Sequence, residues 1–142
     1  MNQLDLIGRT ALVTGGSQGI GFAVVRRLLQ SGARVEMWAL SSRRLASAFE
    51  ALTTLSYKYE SRLSFQYVDV RDPASIAFGL VGALEHLGGK IDVLINNAGA
   101  FGPAKPTCDY SPEEWEAVLR SNLTSQFLVS RAVLPTMAAN KY

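Results

Sequence analysis

Short apolar runs alternate along the chain with longer segments whose apolar residues recur at helical spacing. Four of these runs predict buried strands, at residues 11–14, 34–39, 64–68 and 93–95. Three predicted helices separate the strands and a fourth follows the last one, with starts at Ile20, Arg43, Asp72 and Ser111. The chain is therefore predicted to repeat a strand–helix unit four times.

The ends of these helices have local signals. In the first helix the apolar Ala23, Val24 and Leu28 predict the buried face, and Gly32 predicts the stop. The third helix is predicted to begin with Asp72 as its cap and proline at its first position, and it stops at residues 88–89. Residues 111–114 fit a capping box at the start of the fourth.

Strict alternation of strands and helices predicts an α/β fold. We expect a Rossmann-type, doubly wound parallel sheet with helices on both faces, giving three layers (αβα), and one domain over residues 1–142. Ligands of such sheets bind beyond the carboxyl ends of the strands, near the point where strand order reverses. The residues directly after each predicted strand are therefore the candidates for a ligand-binding site.

Composition narrows the classes of function. The 142 residues are 48% hydrophobic and 18% charged, with a net charge of +2, so we expect no basic face for nucleic acid. One cysteine and one histidine, Cys108 and His86, exclude a disulfide framework and predict no metal site. No apolar run approaches a membrane span, and residues 1–8 include Asp5 without a basic region, so we expect a cytoplasmic protein.

A glycine-rich turn follows the first predicted strand, with the sequence Thr-Gly-Gly-Ser-Gln-Gly-Ile-Gly at residues 14–21. A strand, a turn of this kind and a helix together place backbone N–H groups and a helix N-terminus where a pyrophosphate can bind. The spacing differs from the common G-x-G-x-x-G pattern, and no P-loop lysine follows it. Four glycines in seven residues make a plain connecting turn the weaker interpretation.

Three further candidates follow later strands. Asn96-Asn97-Ala98-Gly99 comes directly after the fourth strand, where asparagine can fix a turn and small residues leave space for a flat ring. Asp69 closes the third strand and either accepts a hydrogen bond from an adenine amino group or is only a turn residue. Asn122 shares the apolar face of the last helix with Trp115 and Leu119, so we expect a buried side chain with specific partners, in a functional or a structural network.

Together these pieces resemble the N-terminal part of the short-chain dehydrogenase/reductase family, over essentially all 142 residues. Within the family, the sequence is similar to 3-oxoacyl-acyl-carrier-protein reductases and to related sugar or alcohol dehydrogenases. The family pattern T-G-x-x-x-G-x-G is matched by Thr14, Gly15, Gly19 and Gly21. Asp69-Val70, Asn96 to Gly99 and Asn122 match three further family positions in order.

The resemblance implies hydride transfer between a nicotinamide and a carbonyl or alcohol substrate. It implies that the pyrophosphate is bound at Gly15, Ser17, Gln18, Gly19, Ile20 and Gly21. It also implies adenine contacts from Asp69 and Val70, nicotinamide ribose contacts from Asn97, Ala98 and Gly99, and a catalytic role for Asn122 in a proton relay. Homo-oligomers through the last two predicted helices are implied for the full-length protein.

The sequence departs from the family at the remaining catalytic positions. The family's Tyr-x-x-x-Lys is absent, since the residues four positions before the lysines are Thr54, His86, Phe101 and Met137. The catalytic serine is also absent from its expected place. We therefore expect a cofactor-binding half that is inactive alone, the alternative being an inactive nucleotide-binding or subunit-interaction module.

The end of the second strand bears on the choice of cofactor. NAD-binding folds place an acidic residue there for the ribose 2′-hydroxyl, whereas this chain has Ala39. Glu36 lies too early to reach that position. Ser41, Ser42 and Arg43 follow and are suited to a 2′-phosphate, so we favour NADP over NAD.

Overall fold

The computed structural model describes residues 5–140 and contains the four predicted strands. The strands are β1 (Thr10–Thr14), β2 (Arg34–Ala39), β3 (Leu63–Tyr67) and β4 (Val93–Ile95). The helices are α1 (Gly19–Gln30), α2 (Ser42–Leu55), α3 (Pro73–Leu87), α4 (Pro112–Leu119) and α5 (Ser125–Ala139). Short 3-10 turns occur at Tyr57–Tyr59 and Thr107–Asp109. The predicted bounds of β2 and β4 are confirmed, β1 begins one residue earlier, and β3 lies one residue earlier than predicted.

All four strands are parallel, in the order β3-β2-β1-β4. The chain moves outward from β1 to β3 and then returns to the other side of β1, so strand order reverses between β1 and β4. Loops that leave these two strands diverge and open a crevice at their carboxyl ends. The doubly wound Rossmann-type sheet predicted from the sequence is confirmed.

Helices cover both faces of the sheet. On one face, Val25 and Leu29 of α1 pack with Leu45 and Leu52 of α2 over the strands. On the other face, the buried residues of α3 and α5 pack on Leu12 and Trp38, which project from β1 and β2. The two cores are separate clusters, so the molecule has three layers as expected.

The predicted buried face of α1 was wrong by about one residue. Ala23 is exposed, while Gly21, Val25 and Leu29 form the buried row at spacings of four. The helix rotation is set by Gly21, because a Cβ there would collide with the backbone oxygen of Gly15. A close backbone contact, which has no hydrophobic signature, therefore decides which side of α1 faces the sheet.

The last predicted helix is interrupted. α4 passes without a break in the chain into a π-helical segment, Arg120–Thr124, and then into α5, which continues through Pro135. The capping box is confirmed: Ser111 accepts from the Glu114 N–H, and the Glu114 carboxylate accepts from the Ser111 N–H. Within residues 5–140, no helix has the length and apolarity needed to cross a bilayer.

One acidic residue of β2 lies in the core. Glu36 is fully buried, and its Oε1 accepts a hydrogen bond from Gln66 Nε2 at 2.9 Å. Gln66 also donates to the Gly79 carbonyl at 3.2 Å, so this polar pair lies beneath α3. Burial raises the pKa of Glu36 from 4.5 to about 7, against the opposing effect of the Gln66 hydrogen bond.

This burial predicts that the folded state loses stability as pH rises. The pKa of Glu36 is higher in the folded than in the unfolded chain, so its contribution is fully present below pH 4.5 and is lost as pH rises through about 7. The difference corresponds to roughly 3 kcal/mol. Chemical unfolding of Glu36→Gln at pH 5 and pH 8 is expected to show a weaker pH dependence than wild type. The exposed Glu50→Gln on α2 is the control, and an unchanged pH dependence in Glu36→Gln would contradict the assignment.

Candidate functional site

The ends of β1 and β4 are joined through one hydroxyl group. Thr14, the last residue of β1, is buried, and its Oγ1 accepts hydrogen bonds from the N–H groups of Asn97 and Ala98, both at 3.0 Å. The hydroxyl itself donates to the Ile95 carbonyl at 3.4 Å. The segment after β4 is therefore fixed to the end of β1 at the place where strand order reverses.

The Asn97 carboxamide extends this junction to the glycine-rich turn. Asn97 Nδ2 donates to the carbonyls of Thr14 and Gly15, both at 3.1 Å. Gly15 has a φ of 67° and a Cβ added there would lie 2.7 Å from Asn97 Nδ2. Its N–H donates to the Trp38 carbonyl at 2.7 Å, which ties the same turn to the end of β2. The lack of a side chain at Gly15 therefore allows the ends of β1, β2 and β4 to pack closely together.

Gly19 has a different environment. Its φ is 56°, and a Cβ added there would have nothing within 4 Å. It begins α1, whose N-cap residue Gln18 makes no side-chain capping bond and whose first turn contains no acidic residue. By contrast, α2, α3 and α4 are each capped by a side chain, from Ser41, Asp72 and Ser111. The start of α1 therefore has backbone N–H groups without a side-chain cap. The positive end of its helix dipole lies at the same place.

An open groove lies between the starts of α1 and α2. Its volume is about 860 Å³, and its lining comprises Ser17, Gln18, Gly19, Phe22, Ser41, Arg43, Arg44, Ser47 and Ala48. Neither helix has an acidic residue in its first turn. Two guanidinium groups and two helix N-termini make the groove suited to an anion.

Asp69 and Val70 lie in the turn after β3, so Asp69 does not close the strand as predicted but follows its last residue by two positions. The Asp69 carboxylate accepts from Arg71 Nε at 2.9 Å and from Arg71 Nη2 at 2.7 Å. Hydrogen bonding to Arg71 lowers the pKa of Asp69 below its usual 3.8. The Val70 side chain is buried in the core with α3, so only the Val70 backbone is left to contact a ligand.

Asn122 lies in the π-helical segment and is half-buried, and the predicted burial with Trp115 and Leu119 is wrong because both are exposed. The Asn122 carboxamide instead faces the loop after β4. Its Oδ1 accepts from the Ala100 N–H at 3.2 Å, and its Nδ2 donates to the carbonyls of Ala100 at 2.8 Å and Val118 at 2.9 Å. These backbone bonds hold the start of the loop against the helix.

The structure brings most of the predicted site residues to one edge of the sheet. Gly15 and Gly21 contact Asn97, and a Cβ on Gly99 would lie 2.5 Å from Asn122 Oδ1. The predicted residues Ser17, Gln18, Gly19, Ser41 and Arg43 share the groove, whereas Ser42 does not line it. Ile20 projects outward with 78% of its surface exposed.

Three residues that form part of the candidate site were not identified from the sequence. The Thr14 hydroxyl lay within the recognised motif but was not assigned a bonding role. Arg44 lines the groove beside Arg43, and its signal was the pair of arginines at the start of a helix. Arg71 binds Asp69, and its signal was a cation two residues after the acid.

A sequence model described as short chain dehydrogenase matches residues 9–142. The chain belongs to the short-chain dehydrogenase family. It is 33% identical over 132 residues to a 3alpha-hydroxysteroid dehydrogenase of Mediterraneibacter gnavus, an alignment covering 93% of this chain and 51% of that protein. It is 34% identical over 134 residues to the 3-oxoacyl-[acyl-carrier-protein] reductase of Chlamydia pneumoniae, covering 94% of this chain and 52% of that protein.

Solved structures of short-chain dehydrogenases have the same fold. A metagenomic short-chain oxidoreductase in complex with NADP is similar, with a TM-score of 0.84 and 34% sequence identity, over 96% of this chain and 59% of that one. The chain spans about half the length of the curated relatives it matches. The family resemblance inferred from the four motifs is confirmed.

The junction predicts a large effect from one isosteric substitution. Thr14→Val keeps the shape of the side chain but removes the acceptor for the N–H groups of Asn97 and Ala98. Two partly buried donors without a partner are expected to cost about 2–4 kcal/mol of unfolding free energy. Thr14→Ser keeps the hydroxyl and is the matched control. Urea unfolding that finds the two variants equally stable would contradict the role of the hydroxyl.

Proposed function

We propose that the chain is the cofactor-binding half of an NADP-dependent oxidoreductase that acts on a small carbonyl or alcohol substrate. The observation that carries this proposal is the start of α1, which lacks a side-chain cap and faces the groove with an open position at Gly19. When bound, the nicotinamide cofactor supplies or accepts the hydride. The residues of this chain are proposed to bind and orient that cofactor.

The pyrophosphate is proposed to bind at the glycine-rich turn. Gly15 and Gly21 are required by packing, because a Cβ on either would collide with Asn97 or with the turn itself. Gly19 lacks such neighbours, so its missing side chain is explained by space left for a ligand together with its positive φ. The N–H groups after Gln18 then bind the phosphate oxygens, with Ser17, Gln18 and Ile20 around them.

The 2′-phosphate of NADP is proposed to bind across the groove. Ser41 and Arg43 line this groove, and Arg44 adds a second guanidinium. The alternative partner for a free ribose hydroxyl, an acid at the end of β2, is absent because Ala39 occupies that position. Glu36 is fully buried beneath α3 and cannot take this role. These contacts favour NADP over NAD.

The nicotinamide ribose is proposed to lie beside residues 97–99, and Asn122 is proposed to anchor the proton relay near it. Asn122 holds the Ala100 backbone, which places the loop after β4 at this end of the site. The Tyr-x-x-x-Lys pair that the family resemblance implies for proton transfer does not occur in these 142 residues, because none of the lysines has a tyrosine four positions before it. We therefore propose that the chain by itself binds the dinucleotide without reducing a carbonyl.

A subunit-interaction role is the second candidate, and exposed apolar residues on the last helices favour it. Phe78 and Val81 are exposed on α3, and Trp115, Leu123 and Phe127 are exposed along α4, the π-helical segment and α5. Large apolar side chains exposed along the same helices are typical of surfaces that contact other proteins. We propose that homo-oligomers of the full-length protein form through these helices, and that the protein is cytoplasmic.

Gly19 provides the test of the phosphate site. Gly19→Val is expected to abolish measurable NADPH binding, because the new side chain enters the space proposed for the pyrophosphate. Gly89→Val is the matched control, since Gly89 has a φ of 81° and also has nothing within 4 Å of an added Cβ, but follows α3 at the opposite edge of the sheet. Titration would follow the intrinsic fluorescence of Trp38 and Trp115. Equal affinity in both variants would contradict the proposal.

Arg43 tests the choice of cofactor. Arg43→Ala is expected to weaken NADPH binding about tenfold and to leave NADH binding within twofold, because a charged hydrogen bond to the 2′-phosphate is lost. Arg26→Ala, an exposed position elsewhere on α1, is the control for loss of one positive charge. If both dinucleotides weaken equally in Arg43→Ala, the residue does not select the 2′-phosphate.

A further inference from the structure

The turn that follows β3 contains an ion pair of defined geometry. Arg71 Nε lies 2.9 Å from Asp69 Oδ1, and Arg71 Nη2 lies 2.7 Å from Asp69 Oδ2, so the guanidinium contacts both carboxylate oxygens. The Arg71 N–H also donates to Asp69 Oδ1 at 2.9 Å. Two-point pairing of this kind fixes the plane of the carboxylate as well as its position.

The backbone of the same turn is fixed independently. The Asp69 N–H donates to the Ser75 hydroxyl at 2.9 Å, and the Asp72 N–H donates to the Asp69 carbonyl at 3.0 Å. Asp72 caps α3 by accepting from the Ala74 N–H. The carboxylate is therefore held at its base by the start of α3 and at its tip by Arg71.

Arg71 is itself connected to the helix that carries Asn122. Arg120, the first residue of the π-helical segment, donates from Nη2 to the Arg71 carbonyl at 3.2 Å. The turn after β3 and the segment of Asn122 are thus joined by one hydrogen bond, although they are 49 residues apart in sequence. The bond limits how far Arg71 can move away from Asp69.

We propose that Arg71 is a positioning residue that orients the Asp69 carboxylate so that it accepts the adenine amino group and rejects a carbonyl in its place. This inference rests on the proposed function, because it assumes that a dinucleotide occupies the site with its adenine at Asp69, the contact that the family resemblance implies. Asp69 Oδ1 accepts two hydrogen bonds from Arg71 and Oδ2 accepts one, so Oδ2 retains an acceptor site, and an ionised carboxylate has no donor to offer. A base with an amino group can therefore donate to Oδ2, whereas a base with an oxygen at that position finds no donor on Asp69.

The charge state of the pair supports this selectivity. The Arg71 guanidinium holds the pKa of the Asp69 carboxyl below its usual range, so the group stays ionised and acceptor-only at neutral pH. The Asp69 side chain is 25% exposed, which leaves it accessible to a ligand while it remains paired. A free, rotating aspartate would present the same charge without a fixed direction.

The experiment compares two cofactors that differ at one position of the base. Wild type, Arg71→Gln, Arg71→Lys and the control Arg26→Gln would be titrated calorimetrically with NADPH and with the reduced hypoxanthine analogue, which has an oxygen in place of the amino group. Wild type and Arg26→Gln are expected to prefer NADPH by about fivefold to tenfold. Arg71→Gln is expected to reduce this preference below about twofold, and Arg71→Lys to give an intermediate ratio.

The ratio separates positioning from a structural effect. A variant that only loosens the fold weakens both cofactors alike and keeps the preference, and that outcome in Arg71→Gln would overturn the inference. A wild type that binds both cofactors equally would overturn it as well, with dinucleotide binding left intact. A wild type that binds neither would overturn the proposed function and this inference with it. Arg71→Lys retains the charge at an exposed position, so it provides the same test if Arg71→Gln is poorly folded.

Discussion

The structure depends on the contact between the ends of β1 and β4. The strand-to-strand hydrogen bonds between β1 and β4 end where the loops after these strands diverge. The first residues of the two loops must therefore be fixed by other contacts. Here the Thr14 hydroxyl and the Asn97 carboxamide fix them, with bonds to five backbone groups between them. Gly15 and Gly21 let these groups approach, because neither position has space for a Cβ. The shape of the candidate site is a consequence of this packing.

The sequence was sufficient to predict the parts of the fold that depend on local patterns. β2 and β4 were located to the residue because apolar runs bounded by polar or glycine residues have few alternative interpretations. The rotation of α1 was not predictable, since it follows from the contact of Gly21 with the Gly15 backbone and not from the apolar periodicity. The π-helical segment at Arg120–Thr124 was missed for the same reason: no residue type in it marks an extra residue per turn.

The residues of the candidate site also divide into those that local sequence patterns predict and those that depend on distant contacts. Its glycines and asparagines could be located because backbone geometry restricts which residues are tolerated there. The environment of Asn122 could not, because its partners at Ala100 belong to a loop that is distant in sequence. Asp69 follows β3 by two residues, where the sequence predicted the end of the strand. Its ion pair with Arg71 changes what it offers to a ligand, because the carboxylate becomes an acceptor of fixed direction.

The distribution of helix caps connects the fold to the proposed function. α2, α3 and α4 each begin with a side chain that satisfies a backbone N–H, and α4 adds two acidic residues in its first turn. Such caps stabilise a helix by about 1 kcal/mol, so a helix that begins without one gives up stability. α1 does so at the point where the sheet opens, beside the glycine with an unobstructed Cβ position. A bound anion would satisfy the N–H groups that no side chain does, which makes the missing cap the expected form of a phosphate site.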